Sequence, residues 1–130
     1  MPDPARPLAG HRILVVEDEY LIAMDVKRWL MAAGATVVGP VPSVDQALDL
    51  IEDDGLTAAV LDVNLGSGNT VYPVASELRA SGVPYLFATG DVKLSDEDDY
   101  RGRPRLTKPY LEAELVRAVT ELVAGSTSSS

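Results

Sequence analysis

The sequence predicts a doubly wound α/β domain: a parallel sheet of five strands with helices on both faces. Two observations predict it. Short, β-branched apolar runs alternate with amphipathic helical patterns between about Gly10 and Ala124. That alternation implies right-handed crossovers between parallel strands. The apolar runs are also nearly unbroken, as strands covered on both faces are. The length agrees, since 130 residues make one domain and such a chain buries roughly two-thirds of its unfolded surface without a disulfide or structural metal.

The elements follow in order. Arg12–Val16 (RILVV) is too short for a helix and rich in branched side chains, so it reads as the first strand. Asp18 or Glu19 opens a helix on which Ile22, Val26, Trp29, Leu30 and Ala33 share one face, and Gly34 ends it. Thr36–Gly39 is the second strand. Ser43 with Gln46 three residues later forms a capping box. The helix it opens uses Ala47, Leu48, Leu50 and Ile51 as its apolar face and stops at Gly55. Thr57–Val63 (TAAVLDV) is the third strand. Thr70–Ala80 is helical, with Pro73 tolerated near the first turn. Pro84–Thr89 and Arg105–Thr107 are the fourth and fifth strands. Tyr110–Ala124 closes the domain, burying Leu111, Leu115, Ala118, Val119 and Leu122 on one face. The three prolines of residues 1–9 and the polar GSTSSS of 125–130 predict a flexible segment at each end, leaving 10–124 as the domain.

Composition removes several functions. With no cysteine, a zinc-thiolate site, an iron–sulfur site and a cysteine nucleophile are excluded. His11 is the sole histidine, so a multi-histidine metal centre is excluded too. It precedes the first strand and reads as a surface residue. The formal charge is −9, from 20 acidic and 11 basic residues, which disfavours a nucleic-acid partner. No apolar run reaches the ~20 residues of a membrane span, and the first ten residues lack a signal-peptide core. A cytoplasmic protein without a membrane partner is expected.

Ligands of doubly wound sheets bind beyond the carboxyl ends of the strands. The first strand ends in Glu17-Asp18-Glu19, the third in Asp62, the fourth in Thr89-Gly90 and the fifth in Lys108-Pro109. Glu17 to Glu19 alone could be acids favouring a helix N-terminus. Asp62 is harder to explain blandly, because it interrupts an apolar run where an unpaired charge is costly. Clustered carboxylates suit a hard divalent cation such as Mg²⁺. A carboxylate beside Mg²⁺ can accept a phosphoryl group as an acyl phosphate, with a cation and a hydroxyl to neutralise the transferring group. Asp62, Glu17, Asp18, Lys108 and Thr89 supply that set.

These residues, read as VVEDE at 15–19, LDVNLGSG at 61–68, FATG at 87–90 and LTKPY at 106–110, resemble the receiver domain of two-component response regulators over about residues 11–124. The resemblance implies a flavodoxin-like sheet of order 2-1-3-4-5. It implies a phosphoprotein that accepts a phosphoryl group from a histidine kinase phosphohistidine onto Asp62, assists its own phosphorylation and dephosphorylation, and is not otherwise an enzyme. It assigns Mg²⁺ to Glu17, Asp18, Asp62 and the Asn64 carbonyl, the switch hydroxyl to Thr89, and the phosphoryl-pairing cation to Lys108. It places Pro109 where a cis bond is common, and Asn64 and Asp91 where self-dephosphorylation is tuned. A stand-alone bacterial receiver acts through a downstream protein partner or a phosphotransfer protein.

Two departures from the family matter. Arg105 stands where receivers carry an aromatic switch residue, and an arginine does not bury there without a partner. Residues 91–104 are charged and lack an apolar face, so the fourth helix of the family is expected to be short or disordered and to order when Asp62 is modified. With FATG, this resembles the FAT GUY subgroup of alphaproteobacteria, often paired with kinases of the HWE/HisKA2 type. Two other readings use the same residues: a pseudo-receiver scaffold, and a Mg²⁺-dependent phosphatase with an aspartyl nucleophile. The second needs Asp at the end of the first strand, where this chain has Glu17 and Glu19.

Overall fold

A computed structural model describes residues 6–52, 55–63, 65, 70–89 and 105–128. The elements run β1 (Arg12–Val16), α1 (Tyr20–Ala32), β2 (Thr36–Val41), α2 (Val44–Glu52), β3 (Ala58–Asp62), α3 (Tyr72–Ala80), β4 (Tyr85–Thr89), β5 (Arg105–Thr107) and α4 (Glu112–Ser128). All strand pairs are parallel and the order is β2-β1-β3-β4-β5. The doubly wound sheet with strand order 2-1-3-4-5 is therefore present. The segment expected to hold a short or disordered fourth helix, with Asp91, lies outside the described residues.

Alternation along the strands divides the core between the two faces. Leu14, Val16, Ala59, Leu61 and Phe87 turn to one side and meet Ala47 and Ile51 of α2 and Val74 and Leu78 of α3. Ile13, Val15, Val60, Leu86 and Ala88 turn to the other and meet Val26 and Leu30 of α1 and Leu115 and Val119 of α4. Covering both faces explains why the strands lack polar alternation. β3, at the centre of the sheet, is buried at every position, including Asp62.

The local signals act as physical chemistry requires. Gln46 N–H donates to Ser43 Oγ at 3.3 Å, capping α2, and Ser43 O–H donates to Gln46 Oε1 at 3.0 Å, so the glutamine returns to the serine hydroxyl. Pro73 lies in the first turn of α3, where its missing N–H costs nothing. β2 runs two residues further than expected and contains Pro40. An edge strand can hold a proline because one side has no ladder to complete. Its register against β1 slips between Leu14↔Val38 and Val16↔Val41. Gly39 sits in that bulge at φ +94°, where a Cβ would stand 2.9 Å from Val41 N and 3.0 Å from Val15 O.

The ends depart from expectation. Leu8, placed in the flexible segment 1–9, is fully buried against the face that α1 and α4 cover. Its N–H donates to the Ala33 carbonyl at 2.8 Å. One leucine among prolines has no periodicity to announce it. At the other end α4 continues to Ser128, past the expected stop at Ala124, because Gly125 lowers helix propensity without terminating an established helix. Its start also differs. Tyr110 and Leu111 precede the helix, and the Leu111 N–H donates to Glu114 Oε1 at 2.8 Å as part of the N-terminal cap. His11 is half-buried, with its Nδ1 out of solvent, not the surface residue its position suggested.

Candidate functional site

The site assembles at the carboxyl edge of the sheet. β1 delivers Glu17, whose N–H donates to the Val41 carbonyl of β2 at 3.0 Å. That bond ties the acidic turn to the strand beyond the bulge. β3 delivers Asp62, and the turn after β5 delivers Lys108 across a cis bond to Pro109. Glu17 and Asp62 are each only 5% exposed and are the buried charged residues among those described.

Lys108 is their counter-ion. Its Nζ lies 2.8 Å from Glu17 Oε1 and 3.5 Å from Asp62 Oδ2, so the ammonium is bonded to Glu17 and more loosely paired with Asp62. The other Glu17 oxygen accepts the Glu19 N–H at 3.2 Å, at the entrance to α1. The N-cap residue, Glu19, makes no capping bond with its own side chain. Asp18 and Glu19, exposed beside it, complete the acidic turn.

One cation does not offset this many carboxylates. Asp62 is pushed from its ordinary 3.8 up to about 8, first by burial and then by a hydrogen bond and charge repulsion from Glu17, with Lys108 acting in the opposite direction. Burial works against the Lys108 charge, but the bond and charge of Glu17 and the charge of Asp62 prevail and raise its pKa. The cluster therefore holds a proton on Asp62 that a second positive charge would release. Oxygens of Glu17, Asp18 and Asp62 lie within 4.8 Å of one another. An all-carboxylate set open to solvent at Asp18 has the donor chemistry for a small hard cation that retains water ligands.

The remaining expected residues fall as follows. Thr89 ends β4 opposite Thr107 of β5, which puts its backbone on the same edge; its side chain lies outside the described residues, as do Asn64 and the glycines of the loop after Asp62. Arg105 begins β5 opposite Phe87 and is exposed. Sequence reasoning missed two features. Tyr20, Leu21 and Leu111 are exposed apolar side chains at the starts of α1 and α4. Leu111 was assigned to a buried face, because the periodicity was extended one turn too early. Tyr110 packs edge to face on Trp29, with centroids 6.5 Å apart and planes at 70°. Its place directly after Lys108-Pro109 was the available signal.

Comparison with solved structures places this arrangement in a family. SdrG from Sphingomonas melonis Fr1 is 42% identical over 90% of this chain and 98% of that one, with a TM-score of 0.76. The response regulator PhyR from Brucella abortus is 26% identical over 96% of this chain and 53% of that one, with a TM-score of 0.81. A response regulator receiver protein from Sinorhizobium medicae WSM419 is 22% identical over 89% and 96%, with a TM-score of 0.79, and shares the fold. No protein-family model and no curated protein matches the chain. The chain belongs to the response regulator receiver family, the signalling domains of two-component systems.

Proposed function

We propose that the protein receives a phosphoryl group on Asp62 from a phosphohistidine of a histidine kinase and switches a protein–protein contact in response. The observation that carries this reading is the burial of Asp62 beside Glu17 and Lys108 at the end of the central strand. In the transfer, an Asp62 Oδ attacks phosphorus, the P–N bond to imidazole breaks, and the leaving nitrogen keeps the electron pair. Asp62 must be ionised to attack. Lys108 stays protonated and can follow the new charge from Glu17 to a phosphoryl oxygen. Mg²⁺ would be held by Glu17, Asp18 and Asp62, joined by the Asn64 carbonyl, and would supply charge neutralisation for carboxylate and phosphoryl oxygens. The Thr89 hydroxyl is the expected donor to a third phosphoryl oxygen.

The exposed Tyr20, Leu21 and Leu111 flank this edge and form the surface on which the donor helix lands. The kinase belongs to the HWE/HisKA2 type under the FAT GUY resemblance, and the receiver acts as a cytoplasmic signalling module, not as a turnover enzyme. The test is intact mass after incubation with Mg²⁺ and acetyl phosphate. One phosphoryl adduct that requires Mg²⁺ and is absent in Asp62→Ala supports the reading. Absence of an adduct, with no Mg²⁺ binding, overturns it in favour of a scaffold.

A further inference from the structure

The Tyr110 hydroxyl is buried and has no hydrogen-bond partner. Burial and the charges of Glu17, Asp62 and Asp25 hold it protonated, well above the usual phenol range. It is therefore a donor without an acceptor, an arrangement that costs free energy unless another state satisfies it. The ring cannot swing freely, because Trp29 of α1 packs edge-on against it and the surrounding apolar cluster includes Leu115 and Val119 of α4. Asp25 lies one helical turn before Trp29, on the same side of α1. Its Oδ1 accepts from Arg28 Nη2 at 2.8 Å, which leaves Oδ2 as an acceptor on the helix that already touches the Tyr110 ring.

We propose that Tyr110 is a positioning residue for Lys108: its hydroxyl bonds to Asp25 when Lys108 leaves Glu17 for the incoming phosphoryl group, and so fixes the Lys108–Tyr110 turn against α1. Lys108 and Tyr110 are separated by Pro109 alone, so displacement of the ammonium is transmitted to the ring two residues on. A small closure between the turn and α1 then gives the orphaned donor its acceptor. The bond acts on the loaded state and not on metal binding, because Glu17, Asp18 and Asp62 are untouched.

This inference rests on Asp62 as the phosphoacceptor, so wild-type adduct formation is the first control; if wild type forms no adduct, the functional reading fails and this inference falls with it, whereas an adduct in wild type lets the variants below test Tyr110 on its own. Tyr110→Phe keeps the ring and removes the hydroxyl alone. We expect it to slow adduct formation from acetyl phosphate roughly three- to tenfold, the scale of a misplaced charge-neutralising group, with Mg²⁺ affinity unchanged and Tm held or raised, because the unpartnered hydroxyl is gone. Asp25→Ala should show the same slowing, the double variant no more than either single one, and Asp25→Asn, which retains an acceptor, near wild-type rates. Arg28→Ala controls for loss of the Asp25–Arg28 ion pair and should leave the rate unaltered. A wild-type rate in Tyr110→Phe overturns the proposal. So does additive loss in the double variant, or a fall in Mg²⁺ affinity or Tm that accounts for the slowing.

Discussion

Asp62 carries a free-energy conflict that can be read as a function of pH. The unfolded chain releases its proton near 3.8, whereas the folded site retains it to about 8. Between those values the folded state binds more protons than the unfolded one, so stability falls as pH rises. The contribution is full below pH 3.8 and is lost as pH passes through 8. Asp62→Asn removes the charge at nearly constant shape. In metal-free buffer its Tm should exceed that of wild type by several degrees at pH 8 to 9, and the gap should close towards pH 4.5. Parallel curves for the two proteins would show that the site holds Asp62 ionised. At this scale the sequence was most informative. A carboxylate within TAAVLDV is conspicuous, because a buried charge demands a partner, and the partners sat at other strand ends. The preference of Lys108 for Glu17 over Asp62 was not legible. It depends on a difference of 0.7 Å between the two separations, 2.8 and 3.5 Å, set by side-chain length and burial.

Elements were legible where their signal is local and obscure where it is tertiary. β1 and β5 match their expected bounds, Arg12–Val16 and Arg105–Thr107, and the Ser43–Gln46 box starts α2 as its chemistry requires. β2 runs past its expected end at Gly39 to Val41, and its place at the sheet edge lets the strand continue through Pro40. Leu8 shows the same limit. Nothing in MPDPARPLAG marks it, yet it fills the base of the α1 and α4 core and is pinned to Ala33. Gly34 makes room for the backbone beside it: at φ +103° a Cβ there would lie 2.9 Å from Ala9 N. Leu8→Ala should therefore cost about 2–5 kcal/mol, read from urea unfolding, as emptying a core site does. A loss below about 0.5 kcal/mol, the range of surface substitutions, would mean the segment is peripheral. The starts of α1 and α4 give a prediction of the opposite kind. Leu21→Asp and Leu111→Asp change exposed side chains, so stability should hold. Transfer from a cognate kinase should slow by about tenfold or more, the effect of a charge placed in an apolar contact, while adduct formation from acetyl phosphate proceeds as before. Equal slowing with both donors would place these residues in the chemistry instead of the docking.

For the whole molecule, the acidic edge is a local excess within a chain of net charge −9. The two-sided core fixes that edge rigidly: β1 and β3 are neighbours in the sheet, so Glu17 and Asp62 cannot move apart without breaking the Val16↔Leu61 register. The cost of holding both carboxyls there is thus borne by the whole fold, and a cation that offsets it should stabilise the whole fold. A cation bound to the folded state alone adds RT ln(1 + [L]/Kd), or about 1.4 kcal/mol for each tenfold rise in its concentration above Kd. For a domain of this size that corresponds to a gain in Tm of about 3–7 °C per decade. Mg²⁺ titrated at pH 7.5 should raise Tm along that line, and NaCl at matched ionic strength should not, because screening of dispersed surface charge is not site-specific. Asp62→Asn and Glu17→Gln should each flatten the rise by weakening the three-carboxylate set. An equal rise in Mg²⁺ and in matched NaCl, unaffected by either substitution, would trace the stabilisation to the net charge of the surface and remove the cation from this site. The strand pattern made the convergence of these carboxylates legible, because it fixes which ends meet. The proton retained on Asp62 was not, because it arises first from burial that only the packed sheet creates.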